Sequence, residues 1–394
     1  MTIADDVTTR ECPACRASVP AAKFCGECGA QAGVPVTTLG VLLRPRVYAT
    51  AHREAVWSPR VSSTLFPRFP GRIRIPFRIG LIGVLLAIIA LALLRMNGPL
   101  GVTATIGWPL LFLLYIWQSD GFRDIPWRVW AVAMVVGIAS GVGWWLTAGK
   151  FLADFYDVST ASSLALTRVL NTGYLIMLGG ASLMLVPAFL CRLIPVTVRE
   201  SLDGFVVGAF GALWYSTAAT TTIVAPQFAE GLIEDHSAGR MLQDSVTYGI
   251  VDPLVTAAAG GLVGLSLWFR SDERLSRLAG RPRGALLLCA VGGVGSYVGV
   301  WTIDGLGLPR AVDVGVKLTV AVLAVLIIRA GLQIALLHEG KDVASGTPLL
   351  CVHCERVVPD LPFCSACGAA ARASSRTSRR FRHEHPPVRE PSQL

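Results

Sequence analysis

The chain has 394 residues, of which 53% are hydrophobic and only 15% charged, and its formal net charge is +9. A soluble domain carries about 25% charged residues, so this composition excludes an ordinary soluble protein and indicates several membrane spans. Only four of the 35 basic residues are lysine, which points to a GC-rich bacterial genome. The positive charge fits the inner loops of a multispan protein better than a nucleic-acid partner. The absence of a G-x-x-x-x-G-K-[ST] motif excludes an ATP-driven pump within this chain.

Residues 1–30 form a first cysteine module with the spacing C-x2-C-x9-C-x2-C. Its cysteines are Cys12, Cys15, Cys25 and Cys28. Zinc prefers four tetrahedral ligands, and two C-x2-C turns joined by a short hairpin supply four thiolates. About 19 residues cannot fold on apolar burial alone, so we expect the metal to supply the folding energy. The glycine after the last cysteine favours a turn with positive φ.

Residues 31–76 are polar and rich in proline and arginine, which predicts a cytosolic linker with a short interfacial segment around Val47–Trp57. A bilayer core of about 30 Å requires about 20 apolar residues in a helix. Eight stretches meet or approach that length, so the sequence predicts an all-α polytopic protein with an eight-helix transmembrane domain over 77–338. The predicted spans are roughly 77–96, 99–117, 128–148, 173–193, 203–225, 246–269, 284–303 and 316–338.

The loop charges predict the orientation, because cytosolic loops carry an excess of lysine and arginine. Thirteen basic residues fall in the loops assigned inside, against six outside, and the outer loop 226–245 is net acidic. The inside set is Arg68, Arg72, Arg74, Arg78, Arg123, Arg128, Arg192, Arg199, Arg270, Arg274, Arg277, Arg281 and Arg283, and the outside set is Arg95, Lys150, Arg168, Arg240, Arg310 and Lys317. We therefore expect a multi-pass protein of the plasma membrane with both termini in the cytosol.

Glycines recur at four-residue spacing in the spans, which favours close approach of helix backbones. The pairs are Gly137/Gly141, Gly204/Gly208, Gly260/Gly264 and Gly295/Gly299. We expect at least half of these glycines to be true packing positions.

Residues 347–370 repeat the first module with the same spacing. The second set of ligands is Cys351, Cys354, Cys364 and Cys367. Two matched quartets favour two structural zinc ions over a redox or iron site, and their thiolates require the reducing cytosol. Phe24 and Phe363 occupy matching positions and are expected to cover the hairpins. The tail 371–394 is polar and basic and is expected to be disordered.

Both modules resemble the short zinc-ribbon family found at the termini of many bacterial membrane proteins. The resemblance covers about 40 residues and implies a structural or docking module. The expected partners are the lipid bilayer and a protein that binds the ribbons. Because both modules would face the cytosol, they could pack together as a double ribbon.

Charged groups within spans are costly and are functional candidates by default. Asp252 lies in the sixth span directly before Pro253, which frees a backbone carbonyl. Arg329 interrupts the eighth span and either pairs with an acidic group or extends toward the cytosolic face. Glu200 and Asp203 begin the fifth span, where helix capping beside positive charge is the simplest explanation.

The runs RESLDGFVVGAFGALWYSTAAT and VDPLVTAAAGGLVGLSLWF resemble the core helices of the PrsW-type intramembrane metalloproteases. Members of that family carry paired glutamates on one span and a histidine on a later one. This chain has no Glu-Glu pair, and its six histidines lie outside the predicted spans or at their edges. The resemblance therefore implies a relative without the protease chemistry, and no catalytic residue is predicted.

Three functions remain open from the sequence. The first is a non-enzymatic integral membrane protein whose ribbons are structural or dock a partner. The second is a degenerate relative of the PrsW-type proteases. The third is a transporter or channel subunit with a polar site around Asp252, which the lack of an evident inverted repeat weakens.

Overall fold

The computed structural model is mostly helical, with two short antiparallel hairpins. Parts of the predicted linker, most of the predicted acidic loop 226–245 and the tail from residue 387 lie outside the described residues. The described residues are 9–33, 42–51, 54–68, 74–94, 96–158, 165–225, 243–271, 281–306, 308–340 and 347–386.

Eight long helices lie in the described part of the chain, at the positions of the predicted spans. They are α1 (Arg74–Leu93), α2 (Asn97–Gln118), α3 (Trp127–Val158), α4 (Ala165–Leu193), α5 (Ser201–Val224), α6 (Gln243–Trp268), α7 (Pro282–Gly305) and α8 (Arg310–His338). Six of them are long and apolar enough to cross a membrane, whereas α1 has a shorter apolar stretch and α5 does not belong to the six. The helical membrane-type fold is thus confirmed, and the count of eight spans stays a prediction.

Helix α5 is surrounded by other helices. Its residues are buried along almost the whole length, and it packs against α2, α3, α4 and α6. A helix that faces protein on all sides needs small side chains for close packing more than an apolar outer face.

The glycine pairs set the closest helix contacts in the bundle. A Cβ atom on Gly204 or Gly208 would collide with the carbonyl oxygen of Gly264 or Gly260, and the reverse substitutions collide equally. Without side chains at these positions the backbones of α5 and α6 touch directly, which gains van der Waals packing inside lipid.

Helix α3 approaches α5 in the same way. A Cβ on Gly137 would lie 2.5 Å from the carbonyl oxygen of Gly211, and a Cβ on Gly141 would lie 2.6 Å from that of Tyr215. Gly295 and Gly299 on α7 have nothing within 4 Å of such a Cβ. The prediction that at least half of the glycines are packing positions is therefore confirmed.

Helix α6 contains a π-helical turn, Thr247–Val251, which is followed directly by Asp252 and Pro253. Proline has no amide hydrogen, so the carbonyl oxygen of Gly249 loses its helical partner. The indole N–H of Trp108 donates to this oxygen at 2.8 Å. The carbonyl predicted to be free is thus satisfied by α2.

Residues 42–51 and 54–68 belong to the core rather than to a linker. Tyr48, Val56, Leu65 and Phe66 are all fully buried and join the same hydrophobic cluster as the long helices. The prediction of a cytosolic linker over 31–76 is corrected for these two stretches. This segment has no long apolar run and is nevertheless buried, because side chains of α8 form hydrogen bonds with its backbone.

The glycine contacts predict opposite effects for two alanine substitutions. Gly264→Ala should destabilise the bundle by about 1–3 kcal/mol, because the new methyl group overpacks against α5. Gly295→Ala, the matched control on α7, should be neutral or stabilise by up to about 1 kcal/mol, since alanine favours helix. Unfolding in detergent micelles measures both, and equal behaviour of the two variants would contradict this packing.

Candidate metal centres and the base of the bundle

The two cysteine modules fold as equivalent hairpins. In the first, β1 (Thr9–Glu11) pairs with β2 (Ser18–Pro20). In the second, β3 (Pro348–Leu350) pairs with β4 (Val357–Pro359) in the matching register. In each module the first C-x2-C turn connects the two strands and the second turn follows the hairpin, so the hairpin does not lie between the two turns as the sequence predicted. The four sulfur atoms nevertheless come together.

The sulfur atoms of each quartet form a compact group. Within both modules every candidate ligand atom lies within 4.8 Å of the others. The Sγ atoms of Cys12 and Cys28 are 3.8 Å apart, as are those of Cys15 and Cys25. A metal bound tetrahedrally by sulfurs at about 2.3 Å requires sulfur separations of about 3.8 Å. The geometry of the chain therefore fits a four-coordinate ion.

The second quartet repeats these distances. Cys351 and Cys367 are 3.8 Å apart, as are Cys354 and Cys364. Hydrogen bonds from Cys364 and Cys367 lower the pKa of Cys351 well below the usual thiol range. Those from Cys15 and Cys25 do the same for Cys28 in the first module. The same contacts raise the pKa of Cys25 and Cys367, so within each quartet one thiolate is stabilised at the expense of a neighbouring thiol.

Left-handed residues close the turns in both modules. Gly29 and Gly368 have φ of +72° and +75°, as expected for the glycine after the last cysteine. Arg16 and Glu355 occupy matching positions after the second cysteine and each have φ of +57°. In each turn an amide N–H then reaches back to the carbonyl of the first cysteine of its pair.

The two modules pack against each other through a reciprocal interface. The amide of Phe24 donates to the carbonyl of Ser365 at 3.0 Å, and the amide of Phe363 donates to that of Gly26 at 2.8 Å. Since Gly26 and Ser365 are matching positions, the interface is isologous within one chain. The packing of the two modules against each other, offered by the sequence, is present in the structure.

Each phenylalanine ring covers the other module, whereas the sequence suggested that it covers its own hairpin. A Cβ atom on Gly29 would lie 2.8 Å from the ring of Phe363, and a Cβ atom on Gly368 would lie 2.9 Å from the ring of Phe24. Both rings are buried. The glycines therefore serve the turn and also admit the partner ring.

The paired modules rest on α8 through the segment 42–51. The amide of Ala370 donates to the carbonyl of Ala49 at 2.8 Å. The side chain of Gln333 on α8 accepts from the amide of Ala49 at 2.7 Å and donates to the carbonyl of Val47 at 2.9 Å. One buried glutamine thus links a long helix to the second cysteine module through two hydrogen-bonded steps.

Arg329 lies one turn deeper on α8 and is fully buried. Its guanidinium forms an ion pair with Glu54 at 3.2 Å and stacks over the ring of Tyr48 with 3.8 Å to the centroid. It also donates to the carbonyls of Ala55 and Val56, both at 2.9 Å. Of the two alternatives for Arg329, pairing with an acidic group is the one the structure shows.

A second buried network joins three segments at the same end of the bundle. The guanidinium of Arg68 lies 2.6 Å from Asp203, 3.1 Å from Glu200 and 3.8 Å from Asp124. Burial opposes the charge of Arg68, but Asp203 and Glu200 outweigh it and raise its pKa above the usual value. Because these charges have left water, their mutual pairing is what makes their burial tolerable.

The C-terminal tail completes this network. Residues Arg376–Glu384 form a helix, α9, whose Arg376 pairs with Asp203 at 2.9 Å and whose Arg379 pairs with Glu200. The prediction of a disordered tail is corrected for the residues up to 386. Its arginines look solvated in the sequence because their acidic partners lie more than 170 positions away.

Glu200 occupies the N-cap position of α5 and Asp203 lies in its first turn, both beside the positive charge of Arg68, as predicted. The side chain of Glu200 makes no capping hydrogen bond to the first turn. Instead Glu339, directly after α8, accepts from the amide of Ser201 at 2.7 Å and from its hydroxyl at 2.8 Å. Burial raises the pKa of Glu339 to about 7, while Arg372 and Ser201 oppose that shift.

Asp252 lies toward the opposite end of the bundle. Its electrostatic neighbours are Asp304 on α7 and Lys317 on α8. The ammonium of Lys317 is buried and paired with Asp304 and with Asp313, the latter at 3.0 Å. The structure thus brings Asp252 into a charged group that the sequence did not assemble.

Comparisons with family models, with curated protein sequences and with solved structures find no match to this chain. The resemblance of α5 and α6 to the PrsW-type proteases stays a prediction. Within the described part of the chain, the two cysteine quartets are the sole groups of three or more histidine, cysteine or acidic residues placed to hold a metal ion.

Sequence reasoning identified the eight cysteines, Arg329 and the acidic residues of α5, but it missed their partners. Glu54 and Arg68 fell in the predicted linker, Gln333 inside the predicted eighth span and Glu339 just after it, and none of them was predicted as a partner. A usable signal is the low charge content: in a chain this poor in charge, each acidic residue close to a span is a candidate partner for a buried arginine.

The reciprocal interface predicts that the modules stabilise each other. Cys12→Ser should lower the metal content from two ions to one per chain, and it should also expose the C-terminal module to protease. Cys289→Ser, a half-buried cysteine of α7 outside the modules, should change neither. Elemental analysis and limited proteolysis measure the two effects. Unchanged protease resistance of the C-terminal module in Cys12→Ser would contradict the coupling.

Proposed function

We propose that this is a non-enzymatic, multi-pass protein of the bacterial plasma membrane whose two terminal modules are zinc ribbons joined into one cytosolic docking platform. The observation that carries the proposal is the reciprocal contact between the modules, in which Phe24 and Phe363 each cover the other ribbon. Two metal centres combined in this way form a rigid body, and the fixed contacts with Gln333 hold that body against the helices.

Zinc is the metal best suited to the sites. Four thiolates in tetrahedral arrangement are typical of structural zinc, which keeps no open position for a substrate. All four sulfurs of each quartet are needed as ligands, so His353 in the second module is not required. Cys12, Cys15, Cys25, Cys28, Cys351, Cys354, Cys364 and Cys367 are the proposed ligands.

The contact between the modules also supports an even number of crossings. Two ends of one chain that touch must lie on the same side of a bilayer. Eight spans satisfy this requirement, with α5 as a central span that contacts little lipid. Free thiolates and the arginine-rich loops favour the cytosol for that side.

Sidedness is tested by a thiol reagent that cannot cross membranes. In intact cells the eight module cysteines should not react. After the cells have been permeabilised in the presence of a zinc chelator, the same cysteines should react. Leu306→Cys gives the matched positive control, because Leu306 is exposed at the opposite end of the bundle and should react in intact cells. Reaction of the module cysteines in intact cells would overturn the cytosolic assignment.

The second ribbon carries the better docking surface. Leu350 and Val357 face each other across the β3–β4 hairpin and are 44% and 52% exposed. The same two positions in the first ribbon are Glu11 and Ser18. An exposed apolar pair in one copy and a polar pair in the other favours the second hairpin as the contact for a protein partner with an apolar surface.

A photo-cross-linking amino acid tests this docking surface in native membranes. At Leu350 it should yield one defined cross-linked species, whereas at Glu11, the matching position, it should yield none. Adding Val357→Ser should weaken the Leu350 complex by about tenfold, because burying one valine contributes about 1.5 kcal/mol. Equal cross-linking from both positions, or none from either, would contradict docking at the second ribbon.

A further inference from the structure

A cavity lined by aromatic rings lies among α3, α4, α5 and α7. It has a volume of about 200 Å³, and its rings are Trp144, Trp145, Tyr215, Tyr297 and Trp301. The rings of Trp145 and Trp301 are 5.8 Å apart between centroids, and those of Tyr297 and Trp301 are 6.4 Å apart. The cavity is large enough for a small organic molecule.

These rings differ from the aromatic belt of an ordinary membrane protein, in which tryptophan and tyrosine face the lipid headgroups. Tyr215 and Tyr297 are 1% and 8% exposed, so they face the protein interior. Trp117 and Trp127, in contrast, are 71% and 69% exposed and fit the belt.

A glycine keeps the cavity open. A Cβ on Gly180 would lie 3.0 Å from the indole nitrogen of Trp144 and 3.0 Å from the hydroxyl of Tyr215. The indole N–H of Trp144 is buried and has no hydrogen-bond partner in the described part of the chain. An unpaired buried donor is costly, and an oxygen atom of a bound molecule would satisfy it.

The charges around the cavity favour a cation. Asp252 acts electrostatically on the hydroxyl of Tyr297, one of the lining residues. The charged group that contains Asp252 also holds Asp304, Asp313 and Lys317, so three carboxylates face one ammonium. Carboxylates thus outnumber the ammonium among these four groups, and the π faces of the rings add further negative potential.

We propose that this cavity binds a quaternary ammonium group, with the rings around the cation, Asp252 providing long-range attraction, and the N–H of Trp144 bonding to an oxygen near the ammonium. Aromatic side chains attract cations most strongly when the cation has lost its water. The ammonium can belong to a free cation or to a lipid headgroup, since both carry the same chemistry.

Choline titrated calorimetrically into the full-length protein tests the proposal, with the protein in nanodiscs of phosphatidylglycerol that contain no choline lipid. Choline should bind saturably, and its neutral isostere 3,3-dimethylbutan-1-ol should bind at least about tenfold more weakly. Equal binding of the isostere, or no saturable binding of choline, would overturn the proposal and indicate an apolar cavity occupied by hydrocarbon.

Variants separate the cavity from the rest of the protein. Trp301→Leu should weaken choline binding by about tenfold, whereas Trp117→Leu, the same change on the exposed face, should not. Asp252→Asn should weaken choline binding and leave the neutral isostere unaffected, which keeps the test valid if Trp301→Leu fails to fold. Unchanged choline affinity in both cavity variants would contradict the assignment.

Nanodiscs that contain phosphatidylcholine distinguish the two sources of the ammonium. If the natural ligand is a lipid headgroup, phosphatidylcholine should compete with choline in the wild-type protein and should no longer compete in Trp301→Leu. If the ligand is a free cation, choline should bind with the same affinity in both kinds of nanodisc. Competition that persists in Trp301→Leu would place the headgroup elsewhere and contradict the cavity as its site.

Discussion

The contact between the two ends of the chain is the constraint on which the rest of the structure depends. Phe24 and Phe363 lie 339 positions apart in the sequence, and each bonds to and covers the other module. Joining such distant points is entropically unfavourable, and the contacts between the modules oppose that cost. Each module is too short to have a large hydrophobic core of its own, and its four sulfur atoms are placed to hold a metal ion that would make it rigid.

Charge pairing at the base of the bundle extends this constraint to the irregular segments. Arg329 gives its donors to Glu54 and to the backbone carbonyls of Ala55 and Val56, so the irregular residues 54–60 can be buried without a regular ladder of backbone hydrogen bonds. Arg68 pairs in the same way with the acidic residues at the start of α5, and two arginines of the tail helix pair with the same acidic residues. Removing one member leaves the others buried and unpaired, which costs about 3–5 kcal/mol in comparable sites.

The two ends of the bundle consequently have different chemistry. The end with the modules is closed by paired charges and two cysteine quartets, and Leu350 and Val357 are exposed on it. The other end has an excess of carboxylates beside an aromatic cavity. Between them, α5 and α6 touch through glycines over much of their length, so the bundle forms a tightly packed connection between the two sites.

The sequence by itself determined what depends on neighbouring residues: the helical stretches, the two cysteine quartets, the positive φ of Gly29 and Gly368, and the glycine spacing of α5 and α6. These features follow from local periodicity and ligand spacing, and each of these patterns lies within a short stretch of the sequence. Tertiary structure alone decided which module each phenylalanine covers, that Glu54 is the partner of Arg329, and that the tail forms a helix against Glu200 and Asp203. The partners in these contacts are separated by more than 170 residues, and no local pattern specifies which of several distant charges or rings will meet once the helices have packed.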